Sequence, residues 1–478
     1  MEELRQKECY LRSLLLLFLT VYHKLKPEAD IIVEHTLYDG LYCTVSKDHL
    51  INSECILKEM YVMKNKNLVY QEKTISIQEA ITYFTKHRMH EKVTLLKQSN
   101  KKNVTIQLLD DYIDILYGDL LSNTSMLPNF FCISYEQGYW LSFKETPRIQ
   151  PKLFTAFQLS EALGRILNVS TIAQLNTVIQ EKKFYELVLL CEMAQEKRYA
   201  KICETIMKQR SVQCLLIAGP SCSGKSSSVH RLQMHFKMYG KETLCLSMDD
   251  FYKNREDTEK LADGSYDFDS IETIDLTLFH SIVTKLLNKE SVQLPKYNFK
   301  TGKREWETTY TKLEDTQILM IEGIHALHPI TSKFLEKEHI YKLYINALTH
   351  MNIDEHTRIK TSDYRLLRRI ARDSITRNWS AKETLSLWKN VRDKEDTHIY
   401  PYQEEADDVM NTAMAYELSI LKSIVQPQLE CIDKGDVMYL KAQELLNMLS
   451  LVYESDADII PRYSLFAEFI GKSMFSVS

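Results

Sequence analysis

Glycine is scarce in this chain, 12 among 478 residues, and proline scarcer still at 10. No stretch reads as a low-complexity tract and no internal repeat is visible, which sets repeat architectures aside. The ten cysteines stand singly, with no C-x-x-C pair. That spacing argues against a zinc ribbon or a disulfide framework and fits reduced thiols in a cytoplasmic protein with no secretory leader. Neither sign of charge dominates: 60 Lys and Arg against 65 Asp and Glu leave a net charge of −5, so nucleic-acid binding is not expected. Long apolar runs are missing too. Leu14 to Thr20 is nearly all apolar but too short to span a bilayer, and His23, Lys24 and Lys26 follow where a signal peptide would place small residues. A buried helix, with no membrane association, is expected there.

Against this scarcity, two glycines bracket an informative stretch: the apolar run Leu215-Leu216-Ile217-Ala218 leads into Gly219, Pro220, Ser221, Cys222, Ser223, Gly224, Lys225, Ser226 and Ser227. The pattern G-x-x-x-x-G-K-[ST] is filled between a predicted strand and a predicted helix, as a Walker A phosphate loop requires. Backbone N–H groups of such a loop face a polyphosphate, and the helix begins with its positive dipole end on the same anion. Lys225 is expected on the transferable phosphate and the Ser226 hydroxyl on magnesium; Cys222 is read as inert filling. These loop residues make up the candidate ATP site.

The chain is expected to divide into an α+β region (1–150), a helical connector (151–210), a P-loop kinase-like domain (211–425) and a C-terminal helical extension (426–478). From Cys214 onward strands and helices alternate, which argues for an α/β domain: a parallel sheet with helices on both faces. The predicted strands are Cys214–Ala218, Thr243–Met248, Gln317–Ile321 and Ile340–Ile345. Ligands of such sheets sit beyond the carboxyl ends of the strands. Two of those ends carry acids, Asp249-Asp250 and Glu322. Phosphoryl transfer needs one carboxylate to take the proton of the attacking hydroxyl and another to hold magnesium. Asp249 suits the first task and Glu322 the second. Farther on, Arg365, Arg368, Arg369 and Arg372 share one helical face, with Arg377 following. They read either as a solvated face paired with Asp363 and Asp373 or as a mobile lid closing on phosphate. The aromatic and polar segments Tyr266-Asp267-Phe268-Asp269 and Pro295 to Arg304 suit a nucleoside pocket or ordinary loop packing.

In order, G-P-S-C-S-G-K-S, L-S-M-D-D-F-Y-K, Y-D-F-D, P-K-Y-N-F-K-T-G-K-R, I-E-G-I-H and R-L-L-R-R-I-A-R-D resemble the uridine kinase and phosphoribulokinase group of P-loop kinases. With N-I-D-E-H-T-R-I, W-K-N-V-R, Y-P-Y-Q-E-E-A-D and Y-E-L-S-I-L-K, the chain resembles more closely the two-part bacterial nucleoside kinases, in which a threonyl-tRNA-synthetase-like half precedes the kinase half. The resemblance implies Asp249 as catalytic aspartate, Asp269 on the sugar hydroxyls and Tyr297 at the base. Arg369, Arg372 and Arg377 would be lid arginines acting with Lys225 in catalysis. Tyr252, Phe268, Lys303 and Arg304 join the implied acceptor site. Gly302 departs from the resemblance, standing where uridine kinases carry a base-reading histidine. Arg12 to Lys97 resembles a synthetase editing domain, including V-E-H-T-L-Y-D-G-L-Y-C. The positions of its hydrolytic groups hold Arg12, Leu16, Leu116 and Leu120, and His87 and His90 are wrongly spaced to replace them.

The expected activity is ATP- and magnesium-dependent phosphorylation of a hydroxyl on a nucleoside-like small molecule, with self-association left open. The competing expectation is an ATP-binding regulatory or RNA-associated protein that uses the synthetase-like half for partners. Because leucine neither binds metal nor moves a proton, the protein is expected to show no deacylation of mischarged tRNA above background, as measured by release of labelled amino acid.

Overall fold

The computed structural model describes residues 2–37, 40–146, 150–258 and 270–475. The chain folds into two compact units, each drawn from distant segments. One takes Met1–Leu187, Thr349–Lys360 and Leu418–Ser455; the other takes Val188–Leu348, Thr361–Glu417 and Asp456–Ser478. This division crosses the four linear segments expected from the sequence. It falls inside the helix Phe184–Lys208 rather than near residue 210, and it returns two later stretches to the first unit. Hydrogen bonding explains one return: the Asn352 N–H donates to Ser170 O, the Asn352 side-chain amide to Val33 O, and the Val33 N–H to Glu355 O.

The first unit is α+β. Its helix Glu2–Leu25 carries the apolar run, with Leu14, Leu16, Leu17, Phe18 and Leu19 fully buried in a core shared with Ile56, Met60, Phe84 and Leu141. No helix among the described residues is long and apolar enough to cross a membrane. Two antiparallel sheets flank that core. One runs in the order Ile31–Leu37, Gly40–Val45, Gly138–Ser142, Phe131–Tyr135, and the other Gln71–Ser76, Asn103–Leu109, Tyr112–Asp114. Ser76 ends its strand and starts the helix Ile77–Lys86 through a reciprocal cap: its hydroxyl accepts from the Glu79 N–H while its own N–H donates to the Glu79 carboxylate. Arg12, Leu16, Leu116 and Leu120 form no polar cluster. Leu16 and Leu116 are core residues, Leu120 packs against the core, and Arg12 donates to the Asp119 carbonyl.

The second unit is built on a parallel five-stranded sheet, ordered Asp408–Asn411, Ile340–Asn346, Cys214–Ala218, Gln317–Glu322, Glu242–Ser247. Its central strands read Leu-Leu-Ile and Leu-Met-Ile and are buried on both faces, as strands covered from two sides must be. On one face Tyr199, Ile202 and Ile206 of the long helix, with Val229, Leu232 and Phe236 of the helix Lys225–Met238, pack on Leu215, Ile217, Met320 and Leu343. On the opposite face Tyr344 lies among Arg365, Glu395 and Tyr400, from the helices Thr361–Thr376 and Ala381–His398 and the turn after them. The four predicted strands are present with ends moved by no more than one residue. The fifth, Asp408–Asn411, escaped prediction because half of its four residues are Asp and Asn, which strands disfavour.

At the first sheet of the first unit two acids meet, Glu34 half-buried in the strand Ile31–Leu37 and Glu161 buried. Glu34 accepts from the Thr44 hydroxyl at 2.6 Å, Glu161 pairs with His35 Nδ1 at 3.0 Å, and one carboxyl side chain hydrogen-bonds the other. Burial, reinforced for Glu34 by Glu161, raises Glu34 to about 7, and burial raises Glu161 to about 6. A raised carboxyl pKa means that the folded state holds protons the unfolded chain has released. Stability from this pair is therefore full below about pH 4.5 and falls as pH rises through 7. Glu34→Gln keeps the acceptor for Thr44 and removes the ionisation. Urea unfolding is expected to show this variant flatter between pH 5 and 8, and at pH 8 more stable by up to about 3 kcal/mol at 1.36 kcal/mol per pKa unit.

Candidate active site

A strand cannot run straight into a helix with its amides facing a ligand unless the backbone turns sharply, and three positions make that turn here. Gly219 admits no side chain, since a Cβ would stand 2.0 Å from Ile345 O; Gly224 sits at φ +82° and Cys222 at +58°, both left-handed. The carbonyls of the loop are then held outward. Arg365 donates to Ser221 O at 3.0 Å, Arg368 to Cys222 O at 3.3 Å, and the Thr412 hydroxyl to Ser223 O at 2.6 Å. In a trans peptide the next N–H points opposite to its carbonyl. The amides of Cys222 and Gly224 are therefore turned toward the concave side, while Ser223 N–H closes on Pro220 O at 3.2 Å. Lys225 Nζ folds over the loop onto Gly219 O at 2.9 Å and Pro220 O at 3.3 Å. Ser226 is half-buried, and Ser227 is buried with its hydroxyl on Glu468 at 2.6 Å.

The arginine helix divides into two functions that its periodicity did not show. Arg365 and Arg368 are fully buried, neither solvated nor part of a mobile face. Arg365 makes a two-pronged pair with Glu395 at 2.5 Å, and Arg368 pairs with Glu417 at 2.6 and 2.7 Å while stacking over Phe469. Glu395 also accepts from Ser221 N at 3.2 Å. Arg369, Arg372 and Arg377 instead converge on Asp373, at 3.3, 3.2 and 3.4 Å. Three guanidiniums around one carboxylate leave a positive surplus, and Arg369 also reaches Ser221 Oγ at 3.3 Å, which puts that surplus against the phosphate loop. Burial first, then the neighbouring Arg372, lowers the Arg377 pKa, as expected for a cation short of counter-charge.

At the neighbouring strand ends, Asp249 is half-buried in the single turn Met248–Phe251. Asp250, beside it, is committed to structure: it accepts from Tyr297 N at 3.2 Å and pairs with Lys296 at 3.3 Å. Glu322 pairs in register with both Ile217 and Ser247, and its Oε1 accepts from the Ser247 hydroxyl at 2.8 Å. That register sets its carboxylate between the phosphate-loop strand and the Asp249 strand.

The segment from Pro295 to Arg304 is no loop; it belongs to a hairpin, Val292–Asn298 with Lys303–Thr311. Tyr297 and Tyr252 are buried with rings 5.5 Å apart, and Phe299 completes the wall. Arg304 clamps the Asp249 turn by donating to Phe251 O, Tyr252 O and Asp275. Lys303 is exposed at the start of its strand. Gly302 is the left-handed residue of the hairpin turn at φ +69°, where a Cβ would stand 2.7 Å from Arg255 Nε, so a histidine there would strain the backbone and require Arg255 to shift. Tyr266, Asp267, Phe268 and Asp269 lie outside the described residues. Sequence reasoning missed Thr412, Glu395 and Glu417 as supports of the loop. No local signal marks them, because each acts on residues far away in the chain.

The profile of the "Phosphoribulokinase / Uridine kinase family" matches residues 215–418. The uridine kinase of Bacillus pumilus is 30% identical over 197 residues, 41% of this chain and 83% of that one. The uridine-cytidine kinase B of Dictyostelium discoideum is 26% identical over 197 residues, 41% of this chain and 72% of that one. The uridine kinase-like protein 4 of Arabidopsis thaliana is 25% identical over 203 residues, 42% of this chain and 39% of that one.

The two kinds of arginine separate by substitution. Arg368→Ala strands the buried Glu417 charge and is expected to cost about 3–5 kcal/mol in urea unfolding. Arg377→Ala, at a side chain 45% exposed, is expected to leave stability nearly unchanged while weakening pyrophosphate binding in calorimetric titration.

Proposed function

The chain belongs to the phosphoribulokinase / uridine kinase family through residues 215–418, and from that premise we propose that it transfers the terminal phosphoryl group of ATP, with magnesium, to a hydroxyl of a nucleoside-like small molecule. One observation carries the reading: a phosphate loop with its carbonyls tied back stands against an arginine cluster of surplus positive charge, beside the strand that ends in Glu322 and, next beyond it in the same sheet, the strand that leads into Asp249.

Each residue then has a task. The Cys222 and Gly224 amides and the N-terminus of the helix Lys225–Met238 hold the phosphates, and Lys225 leaves the loop carbonyls for the transferable group. Ser226 and Glu322 offer oxygen donors of the kind magnesium prefers. Bound there, the ion would screen phosphate charge. Asp249 takes the proton of the acceptor hydroxyl as its oxygen bonds to phosphorus and the bond to the β-phosphate oxygen breaks. Arg369, Arg372 and Arg377 balance the charge on the equatorial oxygens. Tyr252 and Tyr297, braced by Arg304, form one wall for the acceptor, with Lys303, Phe268 and Asp269 as further acceptor contacts.

The test begins with a mass-spectrometric screen of nucleosides and sugar-like alcohols for ATP-dependent product. With the acceptor found, Asp249→Asn is expected to lower turnover by about 10²–10⁴ with ATP affinity nearly unchanged, while Lys225→Ala weakens ATP binding and abolishes turnover. Full turnover in either variant, or no phosphorylated product from any acceptor, would refute the assignment.

A further inference from the structure

The first unit encloses a cavity of about 60 Å³. Ile77, Leu95, Val104 and Ile115 supply apolar walls, Lys92 and Asp354 line its charged end, and the exposed residues Lys101 and Asn103 line it as well. None of Arg12, Leu16, Leu116 and Leu120 borders it.

The charged end is an almost complete network with one gap. Lys92 Nζ lies 2.9 Å from Asp354 Oδ1 and 3.1 Å from Asp114 Oδ1, all three residues being no more than 1% exposed. Asp114 Oδ2 is engaged by His356 Nδ1 at 2.7 Å, and Oδ1 also accepts from Ile115 N. Asp354 Oδ1 further accepts from His356 N and Thr357 N, and Glu355 accepts from Glu91 N and Lys92 N. Asp354 Oδ2 alone among these carboxylate oxygens is buried without a hydrogen-bond partner. An acceptor left bare in a dry site is costly. Its remedy is a donor.

Charge selects the donor. Around one ammonium and one imidazole stand three carboxylates, Asp114, Asp354 and Glu355. Lys92 already lies within hydrogen-bonding distance of two of them, which disfavours an anion as occupant. The volume, at the ~10–15 Å³ one water requires, suits about four to six heavy atoms. We propose that this cavity binds a small primary amine with a compact aliphatic body, its ammonium donating to Asp354 Oδ2 and its hydrocarbon lying against Ile77, Leu95, Val104 and Ile115. The site is separate from the one proposed for phosphoryl transfer, and the two stand or fall independently.

Three probes built on the same four-carbon branched skeleton with different polar ends test the proposal on the full-length protein: isobutylamine, isobutanol and isobutyrate, each followed by saturation-transfer NMR at millimolar concentration. The amine is expected to bind at least tenfold more tightly than the alcohol, and isobutyrate not at all. Val104→Phe fills the cavity without touching the charged network and is expected to weaken amine binding at least tenfold. Asp354→Asn is expected to erase the preference for amine over alcohol. Should that variant fail to fold by circular dichroism, the three probes and Val104→Phe decide the matter. Equal binding of the three probes, no binding of the amine, or amine binding unchanged in Val104→Phe overturns the proposal.

Discussion

A phosphate loop can turn its amides inward only if its carbonyls find donors on the other side, and in this protein those donors are buried arginines. Arg365 and Arg368 hold Ser221 O and Cys222 O while Thr412 holds Ser223 O. Each arginine, removed from water, requires a carboxylate of its own, so Glu395 and Glu417 are drawn into the same interior. Tyr400 and Arg392 then close on Glu395. A buried pair of this kind recovers its desolvation cost only with good geometry and adds little net stability. What it contributes here is one conformation of the loop. The helix, the strand end at Thr412 and the C-terminal turn with Glu468 are all placed by the need to satisfy nine residues of backbone from Gly219 to Ser227.

One helix thereby performs two kinds of work. Its inward arginines are neutralised and silent toward a ligand, whereas Arg369 and Arg372, with Arg377 just past the helix end, converge on Asp373 and keep a positive surplus beside Ser221. Spacing alone assigns Arg365, Arg368, Arg369 and Arg372 to one face. The difference is in burial and pairing: a fully buried guanidinium held in a two-pronged pair becomes structure, and those that converge on one carboxylate beside the loop remain available to an anion.

The first unit treats buried charge differently. Its helix Glu2–Leu25 and two antiparallel sheets enclose an ordinary apolar core, yet within the unit lie the Glu34–Glu161 pair and the network around Lys92. The segment Asn352–Ile359, far along the chain, brings Asp354 and His356 to complete that network. Leu16, Leu116 and Leu120 contribute hydrocarbon to the core, and Arg12 donates to the Asp119 carbonyl.

Much of the architecture was legible in the sequence. The strand Cys214–Ala218, the loop to Gly224 and the helix after it follow from an apolar run, two glycines and a lysine within a dozen residues, because each of those choices is local. The buried helix around Leu14–Leu19 and the four longer strands follow from periodicity in the same way. The hairpin at Val292–Thr311 and the strand Asp408–Asn411 were not legible, since strands rich in polar residues take their hydrogen bonds from neighbours rather than from a pattern of their own. The partners of the buried charges were even less so. Arg365 meets Glu395 thirty residues on and Ser227 meets Glu468 241 residues on, and nothing local distinguishes those glutamates from solvated ones. By itself the sequence determined where a phosphate loop forms, because backbone conformation and residue size act on neighbours in the chain. Which charges hold that loop, and which stay free to meet a ligand, only the tertiary structure decided, because the energy of a buried charge depends on what surrounds it in space.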